Sequence, residues 1–106
     1  MSMAKLEIEI QIALGTITNS QELAKHIKKA NDPEVLTWAI YHKNTTVRLT
    51  AAKNLHLPIG VLIDAYIFEK TWTVKEVMQN IVAFRRTEAK KALMLIKDYP
   101  QLSLDV

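Results

Sequence analysis

Three histidines, His26, His42 and His56, are the first place to look for metal or proton-transfer chemistry. They stand 16 and 14 residues apart, with no i, i+4 pair to place two on one helix face, so no metal site is expected. Asp64 and Glu69 are a candidate acid/base pair. Five residues apart, they fall on different faces of a helix, whereas two-carboxylate catalysis needs both aimed at one substrate. Asp64 is instead expected to face water or to bond a neighbouring helix end. No glycine-rich phosphate loop and no Ser–His–Asp arrangement is signalled. The absence of Cys excludes disulfides, zinc thiolate sites and iron–sulfur ligation. The expectation is a chain that is not an enzyme and has no cofactor.

What remains is binding chemistry. Lys25, Lys28 and Lys29 share one helical face, and Arg85, Arg86, Lys90, Lys91 and Lys97 stud the last helical region. Such groups could hold phosphates, or could simply be a solvated surface. The net charge is only +3, with +7 and −5 in residues 1–53 and +7 and −6 in residues 54–106. A dedicated nucleic-acid binder concentrates its basic charge more strongly, so nucleic acid is the second reading. Aromatic residues are the usual anchors of protein interfaces. Trp38 and Tyr66 are expected mostly in the core, Trp72 half-exposed, and Tyr41 and Phe68, late in their helices, in an exposed patch.

The elements that must position these residues are helices. A chain of 106 residues suits one domain, residues 1–106, and two Gly with three Pro are too few for the turns of an all-β fold. The longest apolar run, "IGVLIDAYIF", is broken by Asp64 and falls short of the ~18 residues of a membrane span. The start "MSMAKLEIEI" lacks a basic-then-apolar signal pattern, so a cytoplasmic location without membrane contact is expected.

"KLEIEIQIAL" alternates like a strand, yet Leu6, Ile10, Ala13, Leu14 and Ile17 also share a helical face. With no partner strand later in the chain, helix is preferred; edge-to-edge pairing in a dimer is the alternative. Asn19 with Glu22 reads as a reciprocal helix cap, followed by a buried stripe of Leu23, Ile27 and Ala30. Asp32 and Pro33 open a helix with Val35, Leu36, Ala39 and Ile40 inside. Thr45 or Thr46 caps the next, with Val47, Ala51 and Leu55 on one side. Pro58 opens a nearly all-apolar helix expected at the centre of the molecule. Thr73 and Glu76 are expected to form a capping box, with Trp72 stapled over Val77. The last helix should start near Thr87, bury Ala89, Ala92, Leu93 and Ile96, and stop before Pro100; "QLSLDV" follows as a frayed tail.

Two stretches repeat. "PEVLTWAIYHKNTTVRLTAAKNL" runs from Pro33 and "PIGVLIDAYIFEKTWTVKEVMQNI" from Pro58. Val35, Leu36 and Ala39 correspond to Val61, Leu62 and Ala65 at an offset of 26, and Thr46-Val47-Arg48 to Thr73-Val74-Lys75 at 27. A short helix, a polar turn and a second short helix is how helical solenoids are built. Over about residues 32–81, "PEVLTWA" followed by "VRLTAAKN", with a degenerate second copy, resembles the variant leucine-rich repeat proteins and HEAT-like helical repeats. The resemblance implies an all-α right-handed superhelix that binds other macromolecules, with units at about 33–57 and 58–81 and flanking helices as caps. Some such proteins carry a cysteine-bound iron–sulfur domain, which a chain without Cys cannot hold.

The expectation is five or six short helices in antiparallel pairs, stacked as a HEAT-like array that binds a protein partner or a second copy of itself. Arg48, Lys53, Lys75 and Gln79 would line its concave face, with Tyr41 and Phe68 as further contacts. Arg48 has a second reading, in which its guanidinium bonds a carboxylate or free carbonyls within the fold. The alternative function uses Lys25, Lys28, Lys29, Arg85, Arg86 and Lys90 to hold nucleic acid.

Overall fold

The computed structural model describes residues 4–94. Seven helices follow one another: α1 (Lys5–Ala13), α2 (Ser20–Lys29), α3 (Pro33–Ile40), α4 (Thr45–Lys53), α5 (Ile59–Phe68), α6 (Trp72–Phe84) and α7 (Arg86–Met94). No strand forms among the described residues, so the chain is all-α, with more helices than the five or six expected.

The alternating N-terminal stretch is helix, but its buried face is not the expected one. Ile8 is buried, while Leu6, Ile10 and Leu14 are exposed; Ile17 is buried from the loop beyond. The helix ends in a left-handed Gly15, with Gly15 N–H bonded to Ile12 O and Thr16 N–H to Gln11 O, the paired closure that suits glycine after a helix.

The next two helices start where their residues say they should. Asn19 Oδ1 accepts from Glu22 N–H at 2.9 Å, and the Glu22 carboxylate returns to Thr18 N–H at 3.1 Å, one residue before the cap. Asp32 Oδ1 accepts from Glu34 N–H with Pro33 in the first turn. The expected stripes Leu23, Ile27 and Ala30, and Val35, Leu36, Ala39 and Ile40, are all buried.

Two caps fall elsewhere. Asn44, not Thr45 or Thr46, caps α4, accepting from Thr46 and Val47 N–H; its short amide is at least as good a cap as a threonine. Thr71, not Thr73, precedes α6, and no side chain caps that helix. Thr73 and Glu76 therefore form no capping box, and Trp72 is 74% exposed rather than a half-buried staple. Leu55 is exposed and Leu57 takes its place in the core, because the chain leaves the helix at Asn54. Of the expected end of the last helix, Ile96, the stop before Pro100 and the tail lie outside the described residues.

The helices form two layers. In one, α4 packs between α2 and α6; in the other, α3 touches α1 and α5, and α5 touches α7. Across the layers α3 packs on α4 and α5 on α6, each pair joined by a short polar turn. Three corresponding pairs play the same part, Leu36 and Leu62, Ala39 and Ala65, and Val47 and Val74 all being buried, whereas Val61 is only half-buried where Val35 is fully buried. Each fully buried Val, Leu or Ile side chain in this core contributes roughly 1.5–3 kcal/mol. Helix α5 has neighbours in α3, α6 and α7, but it is not the expected central helix: only Leu62 and Ala65 are buried, Ile67 and Phe68 are exposed, and α4 is the helix packed between others.

The open end of each pair is tied back by the residue that ends its second helix. Asn54, after α4, donates through Nδ2 to Ala30 O at 2.7 Å and Ile27 O at 3.0 Å, just ahead of α3. Arg85, after α6, donates through Nη1 to Leu57 O at 2.8 Å, just ahead of α5.

Candidate functional site

The turns of the two pairs lie at the same end of the molecule, and Arg48 joins them. It stands near the start of α4, just after the 41–44 turn and beside the 69–71 turn of the next pair. Its Nε donates to Glu69 Oε1 at 2.8 Å and its Nη2 to Glu69 Oε2 at 3.2 Å, a two-pronged ion pair. Nη2 also donates to Thr71 Oγ1 at 3.2 Å, and Nη1 donates to His42 O and Lys43 O, each at 2.9 Å. A guanidinium has five N–H donors, and all five are engaged inside the chain. Of the two readings of Arg48, this is the geometry of the structural one.

Glu69 closes the same knot. Its side chain is 5% exposed, and Oε2 also accepts from Thr71 N–H at 3.0 Å. Burial pushes the Glu69 carboxyl up, but the Arg48 hydrogen bonds, the Thr71 and Lys70 N–H groups and the Arg48 charge together bring it below its ordinary 4.5. The Thr71 hydroxyl receives Arg48 and makes no cap hydrogen bond to α6.

Above this base stand two aromatic rings. Tyr41, at the end of α3, donates its hydroxyl to Asp64 Oδ2 of α5. Burial, that hydrogen bond and the Asp64 charge raise the phenol to about 12, so it stays neutral and pinned. Phe68, the last residue of α5, is 68% exposed, and Tyr41 51%. With the Arg48–Glu69 base they enclose an open groove of about 550 Å³, also lined by Lys43 and Lys70. Both lysines are exposed, and among the described residues neither has an ion-pair partner.

His42 forms the wall toward a second depression, of about 620 Å³, lined by Lys5, Glu34, Thr37, Trp38 and Tyr41. Its Nδ1 accepts from Asn44 N–H at 3.0 Å, which puts the proton of the neutral ring on Nε2, and the ring meets Trp38 edge-on at 5.5 Å. Burial, then Lys43 and Arg48, hold its pKa below the ordinary 6.5.

No family model, curated protein or solved structure matches this chain.

Of the residues expected to meet a partner, the fold gathers Tyr41, Phe68 and Arg48 at one groove, with Arg48 as its base. Lys53 is exposed at the other end of α4, and Gln79 is exposed on α6. Lys75 is half-buried with its ammonium 4.9 Å over the Tyr66 ring, so it does not repeat the contacts of Arg48. The candidate acid/base pair is divided: Asp64 bonds Tyr41 at the end of α3, and Glu69 bonds Arg48.

The expected nucleic-acid residues do not form one open patch. Lys25, Lys28 and Lys29 are exposed. Arg85 is 6% exposed, held by the Glu88 carboxylate at 2.9 and 3.1 Å and by Leu57 O, which corrects its placement on the surface. Arg86 and Lys90 are exposed, but each already interacts within the chain. Among the described residues no three His, Asp or Glu side chains are grouped to hold a metal, and no helix is long and apolar enough to cross a membrane.

Sequence reasoning missed Lys43 and Lys70 as groove residues and Glu69 as the partner of Arg48. A signal was present: at a repeat offset of 27, residues 41–44 correspond to 68–71, so successive turns should be neighbours in space.

Proposed function

We propose that this chain is a non-catalytic protein-binding module of the helical-repeat kind, and that it receives its partner in the groove between the 41–44 and 68–71 turns. The observation that carries the reading is a pair of exposed aromatics, Tyr41 and Phe68, over a base whose polar groups are already paired. Tyr41, held by Asp64, loses little freedom on binding, Phe68 offers exposed apolar area, and a base with no unmet donors does not have to reorganise. The tied pairs α3–α4 and α5–α6, with corresponding residues buried, support placing the fold with HEAT-like right-handed arrays, whose surfaces serve as docking faces.

Unbiased peptide display tests this reading. Random peptides selected on the immobilised protein should enrich, and the enriched clones should lose binding to Phe68→Ala and Tyr41→Ala while keeping it for Gln79→Ala, a substitution away from the groove. Enrichment indifferent to Phe68 and Tyr41, or no enrichment, removes the groove as the binding site.

A further inference from the structure

We infer that the partner segment is an acidic peptide in which one bulky apolar side chain is flanked by carboxylates. The inference rests on the reading of the groove as the binding site and adds the chemistry of what enters it. Four observations converge on it. The wall is aromatic, offering Phe68 and the face of a pinned Tyr41 to an apolar side chain. The carboxylate in the base, Glu69, is neutralised by the two-pronged contact with Arg48. Asp64, behind Tyr41, accepts the phenol hydroxyl and keeps its charge, but it does not line the groove. Lys43 and Lys70 are exposed on the two turns, and among the described residues no carboxylate reaches either. The unmet charge at the groove is therefore positive and sits on its rim, around an apolar centre. That arrangement is complementary to a peptide with the opposite plan, a central apolar anchor between negative charges.

Aromatic rings beside lysines also suit single-stranded nucleic acid, where bases stack and phosphates follow a basic track. Here the track is short. Only two unpaired lysines line the groove, and in the neighbouring depression Glu34 faces a lysine, Lys5, that already has Glu9 within 3.9 Å. A peptide can place carboxylates at two points and omit charge elsewhere, whereas a nucleic acid carries one at every nucleotide.

The test uses fluorescein-labelled probes and fluorescence anisotropy with the full chain. The probes are a short peptide of Asp and Gly around one central Phe, the same peptide with Ala for Phe, the same with Lys for Asp, and a short oligothymidine. The Asp/Phe peptide should bind. It should weaken about tenfold on replacing its Phe, and about tenfold on Lys43→Glu/Lys70→Glu in the protein, with further weakening as salt is added. Lys25→Glu/Lys28→Glu makes the same change of net charge on α2 and should leave binding unaltered. Circular dichroism checks that each variant is folded.

Equal binding of the Lys/Phe peptide overturns the inference, as does equal weakening by the α2 charge reversal. Tighter binding of oligothymidine with the same dependence on Lys43, Lys70 and Phe68 overturns it in favour of nucleic acid. If displayed peptides depend on Phe68 but are neutral or basic, the groove reading stands and the acidic partner fails. If nothing depends on Phe68, both fail.

Discussion

Replacing Arg48 by Met removes the guanidinium and keeps an apolar stem of similar reach. Glu69 is then left 5% exposed without its cation, keeping the Thr71 N–H bond. Removing one member of a buried ion pair costs about 3–5 kcal/mol, because the other charge remains desolvated. The Arg48 side chain is itself 14% exposed, and the His42 and Lys43 carbonyls it leaves lie at a turn that water reaches, so the lower end, about 3 kcal/mol, is expected. For a domain of this size that lowers the melting temperature by roughly 12–25 °C. Urea melts followed by circular dichroism at 222 nm provide the measurement. Glu69→Gln alone should destabilise, yet in the Arg48→Met background it should restore about 2 kcal/mol, since a neutral amide is cheaper to bury than an unpaired carboxylate. The pH dependence adds a sign. In the native chain Glu69 is held below 4.5, so its stabilising contribution is present above 4.5 and lost as pH falls through the lowered value. Without Arg48, burial becomes the leading influence and raises the carboxyl, and the contribution reverses: stability then grows as acid protonates it. A cost of Arg48→Met within ~0.5 kcal/mol, or equal effects of Glu69→Gln in both backgrounds, would refute the argument.

Three further outcomes are expected. Asn54→Ala leaves the Ala30 and Ile27 carbonyls without their donor and should cost about 1–3 kcal/mol in a urea melt, with faster hydrogen exchange at His56 N–H, which bonds Asn54 Oδ1. Absorbance at 295 nm should show one tyrosine ionising near 12, moved back toward 10 by Asp64→Asn; because the folded value is raised, this stabilisation is lost as pH climbs from 10 to about 12. The His42 ring resonance should titrate below 6.5 and move up in Lys43→Gln; the folded value being lowered, stability falls as pH drops from 6.5 to that value and then levels off.

Much of the helical plan was legible in short local signals. Asn19, Asp32 and Pro33 each satisfy or omit a free N–H at a helix start, and that chemistry needs no knowledge of the rest of the chain. Other features failed where two local solutions were equally good. In residues 5–14 apolar side chains occur on two sides of the helix, Ile8 and Ile12 on one and Leu6, Ile10 and Leu14 on the other, and only the packing of α1 on α3 selects Ile8. Asn44 stands beside two threonines that could cap as well. The 3.6-residue period was carried from Ala51 to Leu55, past the point where the helix ends. The site divides the same way. Tyr41 and Phe68 are exposed, as their positions late in apolar helices suggested. The Arg48–Glu69 contact spans 21 residues, and Arg85 reaches Leu57 across 28; neither follows from composition or charge clustering.

The brackets made by Asn54 and Arg85 have a consequence for how the chain could change length. Each holds the exit of a helix pair beside its own start, so the path through the pair begins and ends at nearly one place. Such a segment resembles a loop of thread pinned at its neck: it could be removed or duplicated with little rerouting of its flanks. What limits the exchange is the fit of the faces on either side. A copied pair brings only the donor, Asn54 or Arg85; the acceptors, Ala30 and Ile27 or Leu57, lie ahead of the pair and must be matched by the unit before it.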